Sequence, residues 1–405
     1  MKEIVTVWIL ALVMLGFNLS AWAQATQHTT VVKNLSQNPT LKIIGFTGKA
    51  ETQAKLEETF RRCGWVEVLS KDAVGKADIQ VTGEEIADAE VTLKLAVQAD
   101  KKDFQTEGRD ANAAVAVFEA VDGVLRELFN VQALCAQKIY YVVAGKNAMK
   151  EIFSCYLDGS GQERVTFNNG ISTEPSWGHR NALVYTLAKS NAMSIVLADV
   201  GNGRQRIVSR EPGLNSSAGL SHDGTLLALP MSFDGQVDLY LLNLKAGRRI
   251  RLTKDRNVES SPCWSPDNQK IVFVSDRLGT PQLYLMEASA EAKAERLTIG
   301  GRESVSPDWS NVSNRLCFTM KSNAGQYVVA MMDMGDPNRP VTVLTHAAGN
   351  WEEPSWAPDG RHIVCSRKSV HANTSDLYVI DSWLSTFRPI SKNANLTLPA
   401  WRPAY

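Results

Sequence analysis

The chain lacks net charge. Its 43 lysines and arginines are matched by 43 aspartates and glutamates across 405 residues. No basic excess exists to hold nucleic acid, and a polybasic patch for a membrane surface is not expected. Cysteine is scarce and scattered, at positions 63, 135, 155, 263, 317 and 365, with no C-x-x-C pair and no Cys/His cluster. That spacing argues against a disulfide framework and against a zinc site. Cys263, Cys317 and Cys365 fall inside strand patterns, where a thiol serves as a small hydrophobe. Cys135 and Cys155 remain the pair whose bonding is open. The six histidines, at 28, 179, 222, 346, 362 and 371, show no H-x-x-x-H spacing. No metal or other cofactor is therefore expected.

Long apolar runs are also missing, with one exception. Ile4 to Phe17 is a 14-residue apolar stretch behind Lys2, ending at Ala21-Trp22-Ala23. As a helix it would reach about 21 Å, short of a bilayer core of roughly 30 Å. It reads as a secretory signal, residues 1–23, with cleavage after Ala23 and export of the mature chain. Cleavage would remove Lys2 and Glu3, leaving the charge balance at zero.

Residues 24–38 are polar and aperiodic, and are expected to form a flexible arm. Residues 39–132 read as a small α/β domain. Leu41 to Phe46 is a buried strand, and Leu56, Phe60 and Cys63 mark one face of a helix over about Glu51 to Arg62. Val66 to Leu69, Asp78 to Thr82 and the alternating Val91 to Val97 suggest three more strands. Ala114, Phe118, Val121, Leu125 and Leu128 trace a long amphipathic helix ending near Asn130. The order is strand, helix, three strands, helix.

From residue 133 onward one phrase recurs. It appears as Pro175-Ser176-Trp177, Ala218-Gly219-Leu220, Pro262-Cys263-Trp264, Pro307-Asp308-Trp309, Pro354-Ser355-Trp356 and Pro399-Ala400-Trp401, at steps of 43, 44, 45, 47 and 45 residues. Such a period with strands inside it is the signature of propeller blades. Ser265-Pro266-Asp267 and Ala357-Pro358-Asp359-Gly360 supply type I turn residues directly after the Trp. Second-strand runs begin near Ile139, Leu183, Leu226, Ile271, Leu316 and Ile363. The first unit lacks a first strand, and the last phrase has no strands after it. The expected fold is thus an α+β N-terminal domain followed by an all-β, six-bladed propeller, residues 133–405, whose C-terminal strand closes the first blade and leaves no edge.

Catalytic constellations are missing. There is no G-x-S-x-G elbow. Ser221-His222-Asp223 occupies the place of the Ser-Pro-Asp turn, and adjacent residues there point in different directions, so the triplet is read as a turn. Asp276 and Asp359 are likewise read as turn residues that accept nearby backbone N–H bonds. What remains is surface. The tracts entering each first strand carry Glu174, Glu259, Glu303, Glu352 and Glu353, with Trp351 read as exposed, and no Lys or Arg within them. They occupy one place in the repeat and so should converge on one face as an acidic rim for a basic protein surface.

Trp264-Ser265-Pro266-Asp267, the Phe273-Val274-Ser275-Asp276-Arg277…Pro281-Gln282-Leu283-Tyr284 run and the ending Leu398-Pro399-Ala400-Trp401-Arg402-Pro403 closely resemble the TolB family, periplasmic components of the Tol–Pal envelope system. The likeness covers nearly the whole chain. It implies a non-enzymatic, monomeric scaffold that supports outer-membrane integrity and cell-division constriction. Such a scaffold docks the peptidoglycan-associated lipoprotein Pal on the propeller mouth. It meets the inner-membrane protein TolA through its N-terminal arm. By position, the lipoprotein contacts fall on Leu214, Asn215, Ser216 and Ser217 and on Glu259, Ser260 and Ser261. The arm contacts fall on Gln24, Ala25, Thr26, Gln27 and His28. The alternative is a hydrolase, or a glycan or peptide binder, that uses the central channel.

Overall fold

The computed structural model describes residues 37–404 apart from 101, 233–234, 371–373 and 393. The expected signal segment, and Gln24 to His28 of the expected arm, lie outside the described residues. None of the described helices is long and apolar enough to cross a membrane.

The N-terminal unit is a five-stranded sheet with two helices. β1 (Thr40–Thr47), α1 (Ala50–Cys63), β2 (Glu67–Val68), β3 (Ile79–Ala87), β4 (Val91–Ala99), β5 (Lys102–Asp110) and α2 (Ala113–Phe129) follow in order. The sheet runs β2-β1-β3-β4-β5, parallel around β1 and antiparallel from β3 onward. Leu56 and Phe60 of α1 and Val121, Leu125 and Leu128 of α2 are buried with Leu93, Leu95 and Val97 of β4. Asn112 caps α2 by accepting the Ala114 N–H at 2.9 Å, and Asn130 ends it in the left-handed region.

One strand escaped the sequence reading. β5, Lys-Asp-Phe-Gln-Thr-Glu-Gly-Arg-Asp, is an edge strand of which only Gly108 is fully buried, so it carries no apolar alternation. Gly108 passes directly beneath α2. A Cβ there would meet the Ala116 carbonyl oxygen at 2.0 Å, so only glycine allows the approach.

Asp122 fixes how the chain leaves α2. It is buried, and its carboxylate accepts the N–H groups of Leu134 (2.9 Å), Cys135 (2.8 Å) and Ala136 (2.9 Å). The hydrophobic core then continues from this unit into the sheets beyond, through Leu134, Cys135, Ile139, Ala357, Val364, Leu377 and Trp401. The two units thus pack on one shared core. Cys135 and Cys155 are both free and buried, so the pair is not bridged.

The described residues of 139–401 form four separate four-stranded antiparallel sheets and one eight-stranded assembly. In that assembly two groups of strands meet only at the parallel pairing of Lys150 with Ile171. Leu396–Trp401 pairs antiparallel with Ile139–Ala144, joining Leu396 to Val143 and Trp401 to Ile139. The phrase-bearing strands Ile171–Trp177, Gly219–Leu220, Glu259–Trp264, Ser304–Trp309 and Asn350–Trp356 each touch the next. Leu396–Trp401 touches both Asn350–Trp356 and Ile171–Trp177.

Burial pushes the Asp122 carboxyl up from its ordinary 3.8 to about 6. A folded pKa above the unfolded one means stability that is full below about pH 4 and lost as pH rises through 6. Denaturant unfolding at pH 4 and pH 7 should therefore show a fall in wild type that Asp122→Asn reduces by about 2–3 kcal/mol. An equal fall in both proteins would refute this.

Candidate functional site

A left-handed backbone repeats at one place in each unit. Glu174, Ser217, Ser261, Ser306, Glu353 and Leu398 all have φ between 47° and 58°. Each stands immediately before the Pro or Ala that opens the repeated phrase. Positive φ is uncommon for residues with a Cβ, and a following proline favours extended backbone, so six recurrences mark a built feature. In five of these strands the ladder register shifts at the same place, as a β-bulge does. The bulge turns the phrase residues inward, around a cavity of about 310 Å³ lined by Glu174, Ser217, Ser261, Ser306, Glu353 and Leu398 together with their Pro-x-Trp neighbours.

Two carboxylates clamp neighbouring bulges together. Glu174 accepts the Ser217 N–H at 2.7 Å, the Ser217 hydroxyl at 2.6 Å and the Thr186 hydroxyl at 2.7 Å. Glu353 does the same four repeats later, taking the Leu398 N–H at 2.6 Å and the Ser366 hydroxyl at 2.9 Å. Its own N–H donates to Thr319 at 3.0 Å. These acids therefore stitch strand to strand, and they are not unpaired rim charges.

Several expected rim residues point elsewhere. Glu259 is fully buried against Ser275 at 3.1 Å, Thr253 at 3.1 Å and the Arg277 guanidinium at 3.2 Å. Arg277 arrives from another turn, so the tract's lack of basic residues did not leave Glu259 unpaired. Burial, then the nearby Asp255, pushes Glu259 up to about 7. Asn215 is also closed to solvent, bonded to Ser209 at 2.6 Å. Trp351, read as exposed, is fully buried against Tyr378 and Phe387 beneath the Arg367 guanidinium. The alternation of its strand, Asn350–Trp356, sends it inward. Leu214, Ser216, Ser260, Glu303 and Glu352 remain half-buried, with Glu303 taking the Tyr327 hydroxyl at 2.9 Å. Of the expected set, the fold brings Glu174, Ser217, Ser261 and Glu353 together at the cavity. It adds Ser306 and Leu398, which the reading of charged tracts passed over. Their place directly before the phrase was the signal that would have found them.

The chemistry around the cavity is poor in reactive pairs. Burial raises the carboxyl of Asp308 to about 6 and that of Glu353 above its usual range, while it lowers His222. The Ser221 hydroxyl donates to Asp223 at 2.6 Å and accepts the Leu226 N–H at 2.9 Å. Ser265 treats Asp267 and Lys270 in the same way, at 2.6 and 2.8 Å. Ser221-His222-Asp223 is therefore a turn. Among the described residues no group of three or more His, Cys, Asp or Glu could hold a metal ion.

Residues 126–405 match the family model described as the TolB beta propeller domain. The chain is 32% identical to the "Protein TolB homolog" of Chlorobium luteolum over 151 residues, which is 36% of this chain and 33% of that protein. It is 22% identical to the "Tol-Pal system protein TolB" of Helicobacter pylori over 244 residues, 59% of this chain and 58% of that one. These alignments span about a third and somewhat over half of the two curated relatives. The crystal structure of TolB from Acinetobacter baumannii superposes with a TM-score of 0.79 at 20% identity, covering 91% of this chain and 97% of that one, a likeness of fold.

Glu353→Ala would leave the Leu398 N–H without its buried acceptor, costing about 1–3 kcal/mol. Amide exchange across Leu396–Trp401 should accelerate more than in the other phrase-bearing strands. Uniform protection would rule out the clamp.

Proposed function

The chain belongs to the TolB β-propeller family, and on that premise we propose that it is a non-catalytic, protein-binding component of a Tol–Pal envelope system, working in the periplasm after cleavage near Ala23. Its sheets are read as six blades closed by the C-terminal strand, with residues 39–132 as a separate α/β domain and 133–405 as the propeller. The pairing of Leu396–Trp401 with Ile139–Ala144 and the circular contacts of the phrase-bearing strands support that reading.

One observation carries the docking assignment. The α/β unit packs against the turn that follows Trp356, where the Trp65 indole donates to Asp359 at 2.9 Å. The opposite end of the sheets, where the phrase-bearing strands begin, lies away from that contact. There Glu303 and Glu352 are half-exposed, at the start of the strands whose bulged residues Ser306 and Glu353 line the cavity. This end would receive a peptidoglycan-associated lipoprotein, while Gln24 to His28 would engage a TolA-like inner-membrane protein. The absence of any nucleophile–base pair among the cavity groups described above favours binding over turnover.

Two outcomes test it. Glu303→Arg with Glu352→Arg should weaken binding of a purified Pal-type lipoprotein at least about tenfold, equivalent to about 1.4 kcal/mol, with the thermal midpoint unchanged. Undiminished affinity would move the docking face elsewhere. Removal of residues 396–405 should strip the partner from Ile139–Ala144 and lower the thermal midpoint by about 4 °C or more, read by calorimetry. An equally stable truncated protein would refute closure by the last strand.

A further inference from the structure

Charge neutrality over the whole chain conceals a local imbalance. Residues 204–210 and 245–256 together carry nine Lys and Arg and one acidic residue, Asp255. The fold sets these segments at the outer edges of two consecutive sheets, in the strands Arg204–Ser209 and Arg249–Arg251 and their flanking turns.

Strand register shows which way they face. Arg206 stands opposite Leu197, and Arg249 and Arg251 stand opposite Leu242 and Tyr240. Residues opposite one another in an antiparallel pair share a face. Leu197, Leu242 and Tyr240 all belong to the one hydrophobic cluster between these two sheets. Arg204 and Arg206 therefore face Arg249 and Arg251 across the outer end of the groove between the sheets. Among the described residues, Glu211, 2.8 Å from Arg249, Asp238, paired with Arg251, and Asp199, opposite Arg204, are acids of that face. Arg204, Arg206, Arg210, Arg248, Lys254 and Arg256 are exposed, and none has a carboxylate within ion-pair reach among the described residues.

We infer that this outer edge is a docking surface for a bilayer bearing anionic phospholipids. The cations spread along two strands and their turns, so a single small anion could engage only a few of them. A plane of phosphates meets them all, and the guanidinium fork suits phosphate oxygens. In a neutral chain, a concentrated positive edge also leaves matching negative charge elsewhere, and the resulting dipole orients the approach.

Vesicle co-sedimentation of the full chain tests this directly. The protein should pellet with vesicles of phosphatidylglycerol and phosphatidylcholine, remain in solution with phosphatidylcholine alone, and dissociate as salt rises. Arg206→Gln with Arg248→Gln and Lys254→Gln should weaken binding by about fivefold for each cation removed. The corresponding Glu variants should abolish it, with the thermal midpoint kept in both sets. Equal pelleting with neutral vesicles, undiminished binding by the variants, or capture of polyglutamate in the absence of vesicle binding would each overturn the inference; the last would mark a site for an acidic protein.

Discussion

The antiparallel ladder between Leu396–Trp401 and Ile139–Ala144 is the constraint on which the arrangement of sheets depends. It joins the two ends of the repeat region, so its loop-closure entropy is borne once by the whole set of strands. Without it, two unpaired strand edges would face solvent, and the cavity would lose the Leu398 segment from its lining. The bulge at Leu398 ties the ladder into the cavity, because the Leu398 N–H reaches the Glu353 carboxylate of the preceding phrase. The ladder and this part of the cavity wall are thus one structure.

A second constraint sets the α/β unit on the sheets. The Arg361 guanidinium lies between the Trp65 and Trp383 rings, at 4.7 and 4.6 Å, and pairs with Asp381 at 2.6 Å while also reaching Asn38 at 2.8 Å. Asn38, expected to end the arm, is therefore anchored at the junction, and it also donates to Gly64 at 2.8 Å. His362 approaches Asp359 at 2.6 Å. Burial opposes ionisation of Asp359, but His362 beside it holds the carboxyl down to about 2. Buried charges of this kind persist only when paired, and removing one partner leaves an uncompensated charge. Gly64 makes the approach possible. It has φ of 74°, and a Cβ there would meet His362 Nε2 at 2.5 Å.

The cavity and the basic outer edge differ in how charge is handled. At the cavity, Glu174 and Glu353 are consumed by hydrogen bonds between strands, while Glu259, outside its lining, is paired with Arg277. On the outer edge Arg204, Arg206, Arg210, Arg248, Lys254 and Arg256 stay exposed, with no carboxylate in ion-pair reach among the described residues. A count over 405 residues averages these two surfaces to zero. Their positions restore the asymmetry.

By itself the sequence determined the repeat period, the place of each first and second strand, and the turn nature of Ser221-His222-Asp223, because turn chemistry and strand alternation are local and recur in every unit. The helices around Leu56 and Val121 were legible for the same reason. β5 was not, since an edge strand without an apolar face carries no periodic signal. Burial of Trp351 and Glu259 was decided only by the tertiary structure, because a strand residue's exposure depends on which sheet packs against it. So was the pairing of Glu174 with Ser217 and of Glu353 with Leu398, which lie more than forty residues apart. The facing of Arg206 toward Arg249 followed too, for it arises from register in two separate sheets, and no stretch of chain encodes both.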